Sequence, residues 1–127
     1  MTMSAEFRDY ILDLLAPIGP LSARRMFGGG GLFMDGRMFA LIADDVLYFK
    51  VDAGNAPEYD RYRAPAFTYQ RGGKLHSLSY REVPVDILDN DEYLCVWATH
   101  AQQVARRAAA RTNSKRVKSS PTKQTSA

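Results

Sequence analysis

Four consecutive glycines, Gly28–Gly31, constrain what this chain can fold into more than any other feature of its sequence. A dinucleotide-binding loop requires G-x-G-x-x-G between a strand and a helix, but Phe33 stands at the third glycine position and an extended segment follows. A P-loop requires G-x-x-x-x-G-K-[ST], but Gly36 is followed by Arg37 and Met38. The glycines therefore predict a turn or bulge where the backbone changes direction and packs closely on a neighbour.

The residues after the glycines predict a series of antiparallel strands. Asp35-Gly36 lies between two apolar runs, and such a pair favours a type I′ hairpin turn because both positions need positive φ. Asp44-Asp45 predicts a second hairpin, since aspartate tolerates turn geometry. The strands predicted in this half of the chain are Arg24–Phe27, Leu32–Met34, Arg37–Ile42 and Val46–Val51.

Three helices and one more hairpin complete the prediction. Apolar side chains spaced three and four residues apart predict a first helix from Ser4 to Ala16, which Pro17 ends. Asn55 is typical of the cap of a short helix that ends near Tyr62. Two strands, Ala66–Gln70 and Lys74–Tyr80, flank a turn at Gly72-Gly73. The last helix begins at a capping box, with Asp89 as the cap and Glu92 three residues later, and is predicted to end at about Arg111.

The resulting order is helix, three or four strands, helix, two strands, helix. Tight hairpins make the sheet antiparallel, and helices on one of its faces give a two-layer α+β domain of order α-β-β-β-α-β-β-α. Residues 1–112 are predicted to form this domain. Residues 113–127 have no apolar stripe to bury and are predicted to be a disordered basic tail.

The net charge of +3 conceals a split along the chain. All 14 acidic residues lie between Glu6 and Glu92, and no acid follows Arg106. Unopposed cations can neutralise phosphates, so we expect this end of the chain to bind nucleic acid weakly and without sequence preference, the alternative being a solvated tail that aids solubility. The cations that carry this expectation are Arg106, Arg107, Arg111, Lys115, Arg116, Lys118 and Lys123.

The sequence offers no constellation typical of an enzyme. The two histidines, His76 and His100, have neither metal-ligand spacing nor an adjacent serine on the same strand face. Cys95, the one cysteine, is typical of a small core residue in a helix, and its being alone excludes an intramolecular disulfide. We therefore expect no catalytic residue, no metal and no cofactor. No apolar run is long enough to span a membrane and no secretory signal is present, which favours a cytoplasmic location.

Two surfaces remain as alternative binding sites. If Arg24 and Arg25 lie in a strand, they point to opposite faces, and a small anionic ligand would be held by Arg24, Arg25, Gly28, Gly29 and Arg37. Strand aromatics beside basic residues can also stack nucleobases, but the glycine-aromatic signature of RNA-binding sheets is absent and core packing explains most of these rings.

Several motifs occur in order along the chain, namely Arg25-Met26-Phe27-Gly28-Gly29, Gly31, Asp35–Ile42, Leu47–Asp52, Phe67-x-Tyr69, Ser79-Tyr80-x-Glu82-Val83-Pro84 and Trp97-Ala98. Together they resemble the TfoX N-terminal domain family over about residues 5 to 110. The resemblance implies a small cytoplasmic bacterial α+β domain. Full-length TfoX (Sxy) proteins regulate natural competence, are thought to act with the cyclic-AMP receptor protein, and carry a helical C-terminal domain where this chain has a polar basic tail.

The resemblance therefore implies a non-enzymatic regulatory or interaction module that contacts a transcription factor or DNA. It carries no catalytic residue over to this chain. A small-ligand domain built on the arginines and glycines is the alternative, and dimerisation through an edge strand is a third.

Overall fold

The computed structural model describes the backbone of residues 2–26 and 28–119, and the side chains of these ranges as far as Arg111. Helices α1 and α2 are Ala5–Leu15 and Ala56–Arg61, and a 3₁₀ turn, Ala16–Ile18, follows α1. Helices α3 and α4 are Val85–Leu88 and Asp91–Ser119. The strands are β1 Ser22–Met26, β2 Gly29–Met34, β3 Arg37–Ala43, β4 Val46–Lys50, β5 Ala66–Arg71 and β6 Lys74–Glu82.

The strands form one antiparallel sheet in the order β1-β2-β3-β4-β6-β5. The predicted hairpin turns are confirmed, since both residues of each turn have positive φ. Asp35 and Gly36 have φ of 53° and 75°, and the same sign holds at the second and third hairpins. The sequence predicted three or four strands before the second helix, and the structure has four. The α+β class is confirmed.

The helices cover one face of the sheet and bury the main core. Helix α1 begins where the Ser4 hydroxyl accepts a hydrogen bond from the Phe7 N–H at 3.1 Å, and it buries Ile11 and Leu15. Helix α4 packs across β3 and β4 and against α1. The side of α4 that faces the sheet is apolar, with Leu94 and Ala101 fully buried. Within the described residues, no helix is long and apolar enough to cross a membrane.

A bulge sets which β3 side chains reach this core. The pairing of β2 with β3 shifts between Leu32, which lies opposite Ala40, and Phe33, which lies opposite Met38. Phe39 is the extra residue, and the bulge turns it toward the helices beside Ala40 instead of to the other face. Phe39 is fully buried there, 6.3 Å from the ring of Phe49.

The start of the last helix differs from the prediction. The Asn90 side chain, one residue after the predicted cap, accepts the hydrogen bond from the Tyr93 N–H at 3.0 Å. Asp89 is instead the C-terminal cap of the short helix α3, which the sequence analysis did not anticipate. The cap is displaced because only two residues separate α3 from α4, and the first of them, Asp89, already caps the end of α3.

The end of the last helix also differs from the prediction. Helix α4 continues to Ser119 rather than ending near Arg111, so residues 113–119, predicted to be disordered, are helical. This segment contains Lys115, Arg116 and Lys118, which favour helix, and neither glycine nor proline occurs between Asp91 and Pro121. The predicted disorder of residues 120–127 falls outside the described residues.

Candidate interaction surface

Three of the four consecutive glycines lie in a strand and are in close contact with neighbouring residues, which explains why side chains are absent there. Gly29, Gly30 and Gly31 lie in β2 and are buried. All three pair with β1, and Gly30 and Gly31 pair with β3 as well. A side chain at Gly29 would collide with the backbone carbonyl oxygen of Ile42, and one at Gly30 with the Met3 thioether. Gly28, in the turn before β2, is exposed with φ of 77°. The predicted close packing at the glycines is confirmed, but the predicted turn is wrong for three of them, because β2 begins at Gly29 and not at Leu32 and only Gly28 lies in the turn.

The structure does not bring the five residues of the predicted anion site together. Arg24 and Arg25 lie on opposite faces of β1, as alternation requires. The Arg25 guanidinium donates to the Met3 carbonyl at 2.9 Å, while that of Arg24 lies 4.7 Å from the centre of the Phe33 ring on the other face. Arg37 pairs with Met34, about 17 Å along β2 from Gly29. Within the described residues, the side chains of Arg24, Arg25 and Arg37 therefore do not converge on Gly28 and Gly29.

The face of the sheet turned away from the helices, here called the open face, carries a second and smaller apolar cluster. Leu41, Ala43, Phe67 and Tyr80 are its buried members. Directly paired residues on neighbouring strands share a face, so Tyr48, which pairs with Leu41, belongs to it as well. No helix among the described elements covers this cluster, to which β5 contributes Phe67 and β6 contributes Tyr80.

A groove of about 410 Å³ opens between this cluster and the β5–β6 hairpin. Its lining is mainly apolar, and the exposed Arg71 stands at its rim. Leu78, on its wall, is 39% exposed. This volume accommodates one or two large side chains. The lining residues are Met38, Leu41, Phe67, Tyr69, Gln70, Arg71 and Leu78.

Aromatic rings form a row along the open face from β4 to β6. The Phe67 ring meets Tyr48 edge-on at 5.2 Å and stacks beside Tyr69 at 6.2 Å. Tyr69 in turn stacks on His76, its partner across the hairpin, at 5.4 Å. The sequence analysis assigned most of the strand aromatics to the core. That is correct for Phe67, which is buried, but Tyr69 is only half-buried.

On the open face, burial shifts the pKa values of side chains more than neighbouring charges do. Burial raises the pKa of Tyr80 to about 12. It is also the main reason that the pKa of Tyr48 is raised, with smaller effects from Glu82 and Asp44. Lys50, whose ammonium group lies 5.0 Å from the centre of the Tyr80 ring, has a lowered pKa, chiefly because of burial. Both tyrosines are neutral at physiological pH, as tyrosines ordinarily are, and the raised pKa values extend this to more alkaline pH.

The residues considered for catalysis are dispersed. The Cys95 thiol donates to the Leu14 carbonyl at 3.4 Å, and burial, together with Asp91, raises the pKa of this thiol above its usual value. A thiol with a raised pKa is a poor nucleophile. His76 lies on β6 and His100 on α4, so the two do not share a site. Within the described residues, no group of three or more metal-ligating side chains is present.

The first two cations predicted to bind nucleic acid, Arg106 and Arg107, lie on α4 and bind other side chains of the protein. Arg106 donates to the Gln102 side chain at 3.1 Å. Arg107 makes a two-pronged contact with Asp52 at 2.9 and 3.0 Å, and this hydrogen bond is the main reason that the pKa of Asp52 is lowered. Arg111 is exposed. The side chains of Lys115, Arg116 and Lys118 lie outside the described set, as does Lys123.

Sequence reasoning missed the groove, although part of its signal was present. Phe67, Tyr69 and Arg71 alternate along β5, and Leu78 and Tyr80 alternate along β6, so one face of the hairpin was identifiable. The sequence alone did not indicate which face of the sheet the helices leave uncovered.

A family model described as the TfoX N-terminal domain matches residues 13–105 of this chain. The match includes the glycine strand, the open face and the buried half of α4. No curated protein matches the chain at a significant level.

Proposed function

Because the chain belongs to the TfoX N-terminal domain family, we propose that it is a non-enzymatic regulatory module that acts by binding a transcription-factor protein, as a competence-type regulator does. Its place of action is the cytoplasm, where transcription factors meet DNA. The observation that carries the proposal is the groove on the open face, an apolar recess on an uncovered sheet surface with an arginine at its rim.

The groove defines the chemistry of the partner. An apolar floor built from Met38, Leu41 and Phe67 gains free energy when a large apolar side chain leaves water to enter it. The guanidinium of Arg71 at the rim offers a planar pair of donors to a carboxylate next to that side chain. The occupant is therefore a segment of the transcription factor with an apolar or aromatic anchor flanked by acidic residues.

A binding role also agrees with how the reactive groups are arranged. The groove lining holds no carboxylate, histidine or thiol, and Arg71 is its one ionised group. General acid–base or nucleophilic catalysis needs such groups within hydrogen-bond reach of a shared substrate. A weak nucleic-acid contact through the cations of α4, beginning with Arg106 and Arg111, completes the proposal.

A matched pair of leucine variants on one strand tests the proposal. Leu78 and Leu75 both lie on β6 and are 39% and 65% exposed, but their odd spacing puts them on opposite faces, and only Leu78 lines the groove. The assay measures binding to purified cyclic-AMP receptor protein by biolayer interferometry, with wild type, Leu78→Asp and Leu75→Asp. We expect wild type and Leu75→Asp to bind, and Leu78→Asp to bind at least ten-fold more weakly, because a carboxylate in the groove loses the apolar contact and repels an acidic partner.

Two results would contradict the proposal. The first is no binding by wild type, which would remove this transcription factor as the partner. The second is equal weakening by both variants, which would mean that the hairpin, and not its groove face, governs binding. Unfolding curves of both variants, followed through the single tryptophan, verify that each is folded.

A further inference from the structure

The β5–β6 hairpin extends beyond the rest of the sheet as a two-stranded arm, here defined as Thr68–Ser79. Strand β4 leaves the sheet after Lys50, and its last contact with β6 is the hydrogen bond from the Val51 N–H to the Ser79 carbonyl at 2.9 Å. From there to the turn, β6 pairs only with β5 among the described strands. Every residue from Gln70 to Ser79 is exposed.

The two faces of the arm differ in chemistry. Arg71 pairs directly with Lys74, and Tyr69 with His76, so all four side chains share the open face. Apart from Leu75, the opposite face is polar and uncharged. Its members are Thr68, Gln70, Leu75, Ser77 and Ser79.

The arm lies in a segment of unopposed positive charge. Residues 61–81 hold five lysines and arginines and no acid. Two of these cations are engaged near the base of the arm, where Arg81 binds Asp60 at 2.9 Å and Arg61 lies 3.5 Å from Glu58. Within the described residues, no ion pair is found for Arg71 or Lys74, the two cations of the arm itself.

The tip of the arm permits close approach by a large partner. Gly72 and Gly73 form the turn with φ of 61° and 76°, and a side chain added at either would meet nothing within 4 Å. The tip is therefore bare backbone, flanked on its two strands by Arg71 and Lys74. From Thr68 to the turn the arm is about 13 Å long, which exceeds the depth of the major groove of B-form DNA, about 8.5 Å.

From this charge, exposure and shape, we propose that the β5–β6 arm inserts into the major groove of duplex DNA. A two-stranded ribbon fits that groove, and Arg71 and Lys74 contact phosphates on its walls. The hydroxyl and amide side chains of Thr68, Gln70 and Ser77 are of the kinds that hydrogen-bond base edges. The inference rests on the proposed regulatory function, to which it adds DNA as a second partner, held at a site distinct from the α4 cations.

The test measures how DNA affinity depends on salt. Fluorescence anisotropy titrations use a short labelled DNA duplex with wild type and Arg71→Gln/Lys74→Gln. The double variant should lower the magnitude of the slope of log affinity against log salt by about 1.8, because each phosphate contact contributes about 0.9. Between about 50 and about 200 mM salt, wild type would then lose roughly 12-fold more affinity than the variant.

Two controls make the measurement specific. Arg8→Gln/Arg37→Gln removes the same charge from α1 and β3 and should leave the slope near that of wild type, within about 0.5 unit. A chain truncated after Asn113 lacks Lys115, Arg116, Lys118 and Lys123 but keeps the arm, so its slope should still respond to the arm substitutions.

Three outcomes would overturn the inference. They are absence of DNA binding by wild type, an equal loss of slope in the Arg8/Arg37 control, and an unchanged slope in the arm variant. Lys74→Gln alone separates this inference from the proposed function, because Lys74 does not line the groove. That variant should weaken DNA binding while leaving binding to the cyclic-AMP receptor protein unchanged, so either activity can fail without the other.

Discussion

Replacing Gly29 by alanine should destabilise the protein far more than the same change two residues further along. The new Cβ would collide with the carbonyl oxygen of Ile42, which is backbone and cannot move unless β2 separates from β3. Overpacking of this kind costs about 1–3 kcal/mol, and each strand-pairing hydrogen bond that is stretched costs roughly 1 kcal/mol more. Alanine recovers about 0.4–1 kcal/mol by restricting the unfolded chain. With two such hydrogen bonds stretched, the expected net loss is about 3 kcal/mol.

Gly31 provides the matched comparison. There the new Cβ would lie 2.6 Å from the Met38 sulfur and 3.2 Å from the edge of the Phe33 ring, and both are side-chain atoms. The Met38 thioether is flexible and half-buried, so it can move aside. We expect Gly31→Ala to cost no more than about 1 kcal/mol.

Urea unfolding measures both losses with the natural reporter. Trp97 is the single tryptophan, is 9% exposed, and lies edge-on to Tyr59 with the ring centres 4.6 Å apart, so its emission changes when the core opens. A loss of 3 kcal/mol corresponds to a fall of about 11 °C in melting temperature for a chain of this length. Equal urea midpoints for the Gly29 and Gly31 variants, with unchanged slopes, would refute the reasoning that backbone contact is what requires glycine.

Two further predictions concern a helix cap and alkaline pH. Asn90→Ala should cost about 1 kcal/mol in thermal unfolding because it leaves the Tyr93 N–H without its acceptor, whereas Asp89→Ala should cost less than half of that. The pKa of Tyr80 is raised to about 12, so between about pH 10 and pH 12 the folded chain keeps a proton that the unfolded chain has lost. Stability should therefore fall as pH rises through this window, by up to about 1.4 kcal/mol per pH unit from this group. Urea midpoints against pH should be steeper for wild type than for Tyr80→Phe, and parallel curves would contradict the assignment to Tyr80.

The parts of the fold that sequence predicted well are those set by local chemistry. Asp35-Gly36 fixes its hairpin because few residues other than glycine, asparagine and aspartate adopt positive φ, and the same reason holds at Gly72-Gly73. The cap of α4 was misplaced by one residue because Asp89 and Asn90 are both good caps. Only the preceding turn of α3, a four-residue helix with no periodicity to detect, decides between them.

The candidate surface was harder to predict because it depends on contacts between distant residues. Arg107 and Asp52 are 55 positions apart, so their ion pair, which withdraws one cation from the predicted nucleic-acid site, has no local signal. On β3, both faces carry apolar residues, since Leu41 lies on the open face and Ile42 on the helix face. A strand with two apolar faces does not reveal which one is uncovered.

The two proposed contacts are joined through Arg71. This residue stands at the rim of the groove and also flanks the tip of the arm, and Leu78 and Lys74 are only four residues apart on β6. An acidic partner segment and a DNA phosphate would therefore both bind the Arg71 guanidinium. Binding free energies at two sites that share a group are coupled, and the coupling acts equally in both directions. Since both occupants are negatively charged, their mutual repulsion opposes joint binding unless the partner itself contacts the DNA. A module built in this way responds to the partner and the DNA as a pair, which is the property that a transcription regulator needs.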